Sequence, residues 1–178
     1  MNKQQIISQL QKNHRDFTDY IKSLREEDLL FTTDNKWTAG QQAEHILRSI
    51  KPVKLAFTLP KFLLKLFFGS ANRPSRTYEQ LLSRYKEKLA AGGRASGRFI
   101  PQPVAFNAKQ KICNEILLVN DALCKRVDSC TEEDLEKYIL PHPLLGKLTL
   151  REMLYFNILH AAHHKNSVAM LLHRTALA

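Results

Sequence analysis

Apolar residues recur every three or four positions along most of this chain, which is the period of a helix that buries one face. In the N-terminal segment these residues are Ile6, Leu10, Phe17, Ile21 and Leu24. The pattern predicts a first long helix over residues 2–24. Strand-like alternation of useful length and internal repeats are both missing from the sequence. We therefore expect an all-α fold.

A capping box and a proline define the second long helix. Thr38 is followed three residues later by Gln41, a spacing typical of a helix start. The helix is predicted to end at Lys51, because Pro52 cannot donate the next backbone hydrogen bond. Trp37 precedes the cap and is expected to be a structural residue that packs against the first turn or a neighbouring helix.

Two more long helices are predicted in the C-terminal half. The third covers about residues 105–129, and Thr149 with Glu152 forms a capping box that opens a fourth over about 149–172. Four long amphipathic helices predict a four-helix bundle. Their inward faces are expected to bury Ile46, Ile116, Leu123, Met153 and Val168.

The connection over residues 52–104 is expected to contain extra short helices and loops. Its first part, residues 55–68, is very apolar and is broken near Pro60. A basic helix is predicted to start after Thr77 and to end at Gly92. Loops are also expected at residues 34–36 and around residues 141–146, where Asp, Asn, Pro and Gly cluster.

Length and composition fit one ordinary domain over residues 1–178. The 44% of hydrophobic and 25% of charged residues exclude a disordered chain. Three cysteines without a C-x-x-C pair favour neither a disulfide framework nor a thiolate zinc site. The N-terminus lacks the continuous apolar segment of a signal peptide, and the longest apolar stretch is shorter than the roughly 20 residues of a membrane span. We therefore expect a cytoplasmic protein.

The net charge of +10 is concentrated in one part of the chain. Residues 51–111 contain thirteen Lys and Arg but only two acidic residues, whereas the rest of the chain is nearly neutral. Such a segment can attract an anionic small molecule, an anionic membrane surface or nucleic acid, or can be a solvated face. No recognised nucleic-acid-binding motif accompanies the basic residues, so nucleic acid is the least favoured partner.

Two histidines four residues apart are the most informative residues for function. His160 and His164 leave the same face of the fourth helix and lie on its apolar stripe. Because burying an unpaired imidazole costs about 1–3 kcal/mol, both rings need a partner, which is either a core hydrogen bond or a shared metal ion. His45, in the middle of the second helix, is the natural third ligand. Three neutral imidazoles suit Zn²⁺, Ni²⁺ or Fe²⁺ and leave a coordination position for water or substrate.

The remaining histidines are weaker candidates. His163 points about 100° away from His164 and is expected at the rim of the site, where it could relay a proton, although a His160–His163 pair is also geometrically possible. His14 lies on the apolar stripe of the first helix and is expected in the core or in a pocket wall. No H-E-x-x-H, Glu-x-x-His, Gly-rich phosphate loop or G-x-S-x-G motif occurs. No site role is expected for His142 and His173.

Two segments resemble the DinB (YfiT-like) superfamily of four-helix-bundle metalloproteins. One is WTAGQQAEHILRSI, with Trp37 and Thr38 just ahead of the helix that carries His45; the other is LTLREMLYFNILHAAHHKNSV, with His160 and His164. The resemblance implies a four-helix bundle that binds a divalent metal through these three histidines. Superfamily members include S-transferases that use low-molecular-weight thiols, a mycothiol-dependent isomerase and metal-dependent hydrolases.

Two functions are consistent with these features. The first is an enzyme in which the metal activates a thiol or water for attack on a small molecule, with His163 as a further catalytic residue and the basic segment binding an anionic thiol or substrate. The alternative is a non-catalytic bundle whose basic, apolar 51–111 segment contacts a membrane surface or a protein. Its apolar side chains, Phe62 and Leu66 among them, are either exposed, folded back onto the bundle, or covered by a second copy in a homodimer.

Overall fold

The computed structural model describes residues 1–33 and 36–173. Its elements, in chain order, are α1 (Lys3–Ser23), α2 (Glu26–Leu30), α3 (Ala39–Thr58), α4 (Lys61–Phe68), α5 (Tyr78–Ala90), α6 (Lys109–Asp128), α7 (Glu132–Lys137), β1 (Ile139–His142), β2 (Gly146–Thr149) and α8 (Leu150–His173). Short 3₁₀ turns occur at Gly97–Phe99 and Phe106–Ala108. The loop predicted at residues 34–36 lies largely outside the described residues.

The four long helices form the predicted bundle. α1 packs against α6 and α8, and α3 also packs against α6 and α8, so that the order around the bundle is α1, α6, α3, α8. The five residues predicted for the core are all buried. The sequence therefore predicted the all-α class and the bundle correctly, and α3 and α8 are neighbours as a shared histidine site requires.

Helix starts follow the predicted capping boxes. The Thr38 hydroxyl accepts a hydrogen bond from the Gln41 amide at 3.1 Å, and the Gln41 side chain accepts one from the Thr38 amide at 3.0 Å. Thr149 and Glu152 make the same reciprocal pair at the start of α8. Each box satisfies amide groups that a helix N-terminus leaves without partners.

The prediction that the second helix ends at Lys51 is wrong. α3 continues through Pro52 to Thr58 and buries Val53 and Phe57 on the stripe that begins at Ile46. A proline inside a helix costs about 3 kcal/mol. Burial of the apolar side chains beyond it offsets that cost, at about 1.5–3 kcal/mol for each large one.

The loop predicted around residues 141–146 is a small β-hairpin. β1 pairs antiparallel with β2, from Ile139 opposite Thr149 to His142 opposite Gly146. Each strand has only four residues, and Pro141 interrupts the first, so no alternating pattern was visible in the sequence. The hairpin positions the start of α8, which follows Thr149 directly.

α8 is the central helix of the molecule. Residues 150–161 are all buried, because α1, α3, α5, α7 and the hairpin pack around this half of the helix. A helix surrounded in this way must satisfy its polar side chains within the protein or with a ligand. None of the described helices is both long enough and apolar enough to span a bilayer.

Candidate metal centre

Three histidines from α3 and α8 meet inside the bundle. The Nε2 atom of His160 lies 3.1 Å from Nε2 of His45 and 3.0 Å from Nε2 of His164. The ligand atoms of the three rings lie within 4.8 Å of one another, and all three residues are buried. The structure thus brings together the three residues that the sequence proposed as metal ligands.

In two of the three rings, a hydrogen bond at Nδ1 determines which ring nitrogen carries the proton. Nδ1 of His45 lies 2.7 Å from the backbone carbonyl oxygen of Phe99, and Nδ1 of His164 lies 2.9 Å from Oε1 of Gln42. A carbonyl oxygen only accepts, so Nδ1 carries the proton in both rings. The lone pairs of the two Nε2 atoms therefore face the centre of the cluster, which is the orientation that a metal ligand needs.

The two acceptors are themselves held in place. The Gln42 amide nitrogen donates to the backbone carbonyl of Trp37 at 3.4 Å, which turns its oxygen toward His164. The loop carrying Phe99 is tied to α3 on both sides. Nη1 of Arg48 donates to the carbonyl of Arg98 at 3.1 Å, and a carboxylate oxygen of Glu44 accepts from the amide of Gln102 at 3.2 Å.

Burial keeps the three rings neutral. Desolvation lowers the pKa of His45, although its bond to the Phe99 carbonyl opposes the shift. Desolvation, followed by the nearby histidines, lowers the pKa of His160 and His164 well below the ordinary value. A neutral imidazole is the form that binds a metal ion.

The cluster fits a divalent metal ion. Ligand nitrogens at 2.0–2.1 Å from a tetrahedral zinc ion lie about 3.3 Å apart, close to the separations found between His160 and its two neighbours. Imidazole suits Zn²⁺, Ni²⁺ and Fe²⁺ alike, so the donor set does not rank them. Three protein ligands leave at least one coordination position for water or substrate.

The histidines form part of the wall of a large cavity. It has a volume of about 740 Å³ and is bounded by α3, α5, α8, the hairpin and residues 93–100. Aromatic rings surround the cluster: Trp37 lies 4.9 Å from the ring of His45, and Phe156 stacks at 4.7 Å on His160. A pocket of this size with apolar walls and a few convergent polar groups is typical of a small-molecule site.

The mouth of the cavity is basic. The lining includes Arg94 and Arg98 but no Asp or Glu among the described residues, and neither arginine forms an ion pair within the described part of the chain. Both residues belong to the loop that follows Gly93. A Cβ atom at Gly93 would lie 2.5 Å from Leu144 and 2.6 Å from the carbonyl of Lys88, so glycine allows the loop to pass this point.

His163 lies beside the cluster and outside it. It is half-buried, lines the cavity, and packs with its ring 5.1 Å from that of His164 and 5.7 Å from that of Tyr85. Desolvation lowers its pKa. It is not among the residues that meet at a common point, and its catalytic role stays a prediction.

His142 was expected to have no site role, but it also lines the cavity. Its Nδ1 accepts hydrogen bonds from the amides of Leu144 and Leu145, at 3.2 and 3.1 Å, so the proton lies on Nε2. Its ring lies 4.2 Å from Phe156, and burial lowers its pKa to about 4. The hairpin that places His142 here was not predicted, which is why the residue was missed.

The structure also gives the positions of His14, His173 and Trp37. His14 is a core residue, with Nδ1 2.9 Å from the Leu10 carbonyl and a pKa lowered by burial to about 4. His173 is exposed near the end of α8. Trp37 is only half-buried and packs over the histidines, so it belongs to the wall of the site more than to the core. Gln42 and Phe99 had no signal in the sequence, since any acceptor near the ring could serve.

Comparison with known proteins agrees with this description. The chain is similar to the solved structure of YfiT from Bacillus subtilis, described as a probable metal-dependent hydrolase with an unusual four-helix bundle topology. The TM-score is 0.64 at 16% sequence identity, over 98% of this chain and 87% of that one. No curated protein matches the sequence. The family model of the DinB superfamily matches residues 9–168, and the chain belongs to that superfamily.

Proposed function

We propose that this protein is a metal-dependent enzyme in which His45, His160 and His164 hold a divalent metal ion that activates a thiol or water against a small molecule. The observation that carries the proposal is the meeting of three Nε2 atoms in the wall of a cavity of about 740 Å³. When bound there, the metal would lower the pKa of a thiol or water and supply thiolate or hydroxide near neutral pH.

The chain's own residues orient and enclose the reactants. Gln42 and the Phe99 carbonyl hold two of the ligand rings in one tautomer, which keeps the three nitrogens aimed at one point. Trp37 packs on His45 and Phe156 on His160, which reduces the contact of the site with water. Low water access strengthens the electrostatic interactions of a bound substrate with the site.

The basic mouth favours an anionic reactant. Arg94 and Arg98 stand at the cavity with no carboxylate beside them in its described lining, so an anionic low-molecular-weight thiol or substrate would find unneutralised guanidinium groups there. This favours thiol transfer. The likeness to YfiT, described as a probable metal-dependent hydrolase, supports hydrolysis as the second candidate reaction.

His163 is the proposed proton carrier. It is neutral because burial lowers its pKa, it lines the same cavity, and its ring adjoins that of His164. A neutral imidazole can take the proton released from a thiol or water. His163→Gln is therefore expected to leave metal binding intact and to lower turnover by about 10²–10⁴-fold.

Metal content tests the first part of the proposal. Protein purified without added metal should contain close to one divalent ion per chain by elemental analysis. His45→Ala, His160→Ala and His164→Ala should each lose it, because two imidazoles hold an ion poorly. His142→Ala and His163→Ala serve as matched controls within the same cavity and should keep it. Equal metal content in all five variants would refute the assignment.

Activity assays test the second part. The metal-loaded protein is assayed with glutathione and 1-chloro-2,4-dinitrobenzene for thiol transfer, and with 4-nitrophenyl acetate for hydrolysis. Thiol transfer that falls on replacing Arg94 and Arg98 by Gln, while the metal is retained, supports the anionic-thiol reaction. Turnover in the ester assay alone favours hydrolysis, and activity that survives His160→Ala contradicts both.

A further inference from the structure

The short helix α4 exposes large apolar side chains on its outer face. Phe62, Leu66 and Phe67 are 68%, 73% and 64% exposed, whereas Leu64 on the opposite face is completely buried. At 100° per residue, Phe62 and Leu66 both point about 160° away from Leu64. The helix is therefore anchored by one side and presents an apolar ridge to its surroundings, which calls for a partner.

The segment that carries this ridge is basic. Between Glu44 and Glu79 the sequence has no acidic residue, while it has seven Lys and Arg. Four of them pair with carboxylates elsewhere in the fold, whereas Lys54, Lys61 and Lys65 form no ion pair among the described residues. Lys65 lies on α4 itself and is exposed. Lys61 is the first residue of α4, and its Nζ lies 3.1 Å from the sulfur of Cys130. An apolar ridge beside lysines that have no carboxylate partner is complementary to a partner that is both apolar and anionic.

We propose that the outer face of α4 binds to anionic lipid bilayers, with Phe62, Leu66 and Phe67 inserted among the acyl chains and the neighbouring lysines at the head groups. A short amphipathic helix with aromatic and leucine residues on one side and lysines beside them has the properties of an interfacial anchor. A second copy of this chain is a poorer occupant, because a twofold contact would bring the same lysines together across the interface.

Binding to vesicles tests this proposal on the full chain. Wild-type protein should co-sediment with vesicles that contain phosphatidylglycerol and much less with vesicles of phosphatidylcholine alone. Raising the salt concentration should weaken the binding. Phe62→Ser combined with Leu66→Ser should reduce binding at least about tenfold, because two large apolar side chains no longer insert.

The chain offers a matched control for loss of exposed apolar area. Leu118 and Met170 are 70% and 61% exposed on α6 and α8, and their replacement by Ser should leave vesicle binding unchanged. Equal loss in both double variants would contradict the proposal. Wild-type dimerisation that the α4 variant abolishes, with no vesicle binding, would show instead that the face joins two copies.

A second measurement detects insertion while the apolar ridge stays intact. Phe62→Trp should give a blue-shifted emission with anionic vesicles and quenching by brominated acyl chains, beyond the signal of Trp37 in the wild type. No change in emission would overturn insertion. His45→Ala should bind vesicles as the wild type does, because this surface is independent of the histidine cluster; the two proposals can therefore fail separately.

Discussion

Two of the polar clusters that α8 buries differ in how their hydrogen bonds are met: the protein supplies every partner for Glu152, but not for the histidines. At the first turn of α8 Glu152 is fully buried, and both carboxylate oxygens have partners from the protein. Two turns further on, His160 and His164 turn ring nitrogens toward a nitrogen of His45. The same helix thus carries a charge neutralised by the fold and two of three ring nitrogens that face one another.

The Glu152 cluster joins a loop to the bundle. Arg73 binds both carboxylate oxygens, at 2.7 and 2.9 Å, and the backbone amide of Arg76 donates at 2.8 Å. The amide of Thr149 donates at 3.0 Å as part of the helix cap. All of these groups belong to the chain itself, so no ligand is needed and the role is structural.

The histidine cluster, in contrast, has fewer hydrogen-bond donors than acceptors. Two of its rings have protons on the far nitrogen, so their facing nitrogens can only accept. A proton on Nε2 of His160 can serve only one of these two acceptors at a time, whereas a divalent cation would serve all three rings, and the cavity gives a ligand access to this point. A buried polar cluster therefore points to ligand binding when its acceptors outnumber its donors beside a cavity, and to stability when its groups complete one another.

The largest effect is expected from breaking the complete cluster. Glu152→Ala should lower the free energy of unfolding by about 3 kcal/mol, because Arg73 and Arg76 lose their partner and the cap of α8 is lost. Denaturation by urea measures the change. Glu133→Ala is the control: its pair with Lys137 is exposed, and its loss should cost less than about 0.5 kcal/mol. Equal effects would show that the Glu152 cluster is not structural.

The Glu152 cluster should also make the stability of the protein depend on pH in the acid range. Burial alone would raise the pKa of Glu152, but Arg73 and the amides of Arg76 and Thr149 outweigh it, so the pKa lies below the ordinary 4.5. The contribution of Glu152 is then complete above pH 4.5 and is lost as the pH falls through the lowered pKa. The stability difference between wild type and Glu152→Ala should therefore shrink below pH 4.5. A difference that does not change with pH would contradict this assignment.

Metal addition should raise the free energy of unfolding through the histidine cluster only. At a free metal concentration of 100 times Kd, the wild type should gain about 2.7 kcal/mol. His160→Ala should gain almost nothing, whereas Glu152→Ala should keep the full gain from its lower starting point. His14→Gln is a control, because His14 is a buried histidine bonded to a backbone carbonyl in the core. Thermal melts with and without chelator measure all four proteins.

A substitution at Gln42 tests whether its hydrogen bond to His164 holds that ring in position for metal binding. Gln42→Leu removes the acceptor of the His164 Nδ1 proton while keeping a side chain of similar size. Loss of such a partner typically weakens metal binding by 10–100-fold. Titration with a competing chelator gives the affinity, and Gln11→Leu, at an exposed position on α1, is the control. An unchanged affinity would mean that helix packing alone orients His164.

The sequence predicted those parts of the molecule that local patterns determine. Capping residues such as Thr38 and Thr149 located helix starts, and the four-residue spacing of His160 and His164 placed two rings on one face. The meeting of His45 with them depends on how α3 packs on α8, which the sequence pattern supported through a family resemblance. Local rules failed at Pro52, where burial beyond the proline outweighs its cost.

Parts that depend on distant partners were not predictable. The Phe99 carbonyl reaches His45 across 54 residues, and any backbone carbonyl could have done so. His142 enters the cavity through a hairpin of two four-residue strands, too short to leave a pattern. Glu152 was recognised as a cap, but its arginine partners lie more than 70 residues away.

The smallest effect is expected at another buried polar residue, Asn120 on α6. It is 1% exposed, and neither its amide nitrogen nor its amide oxygen has a hydrogen-bond partner among the described residues. Unlike Glu152 it is not satisfied by the fold, and unlike the histidines it is not part of a group of facing acceptors. Leaving a buried amide unpaired costs about 1–3 kcal/mol. Asn120→Leu should therefore raise the free energy of unfolding by about 1 kcal/mol and leave metal affinity and vesicle binding unchanged. Destabilisation by Asn120→Leu, measured in urea beside the conservative Asn120→Gln, would show that the amide has a partner in solution and that the bundle holds another polar site.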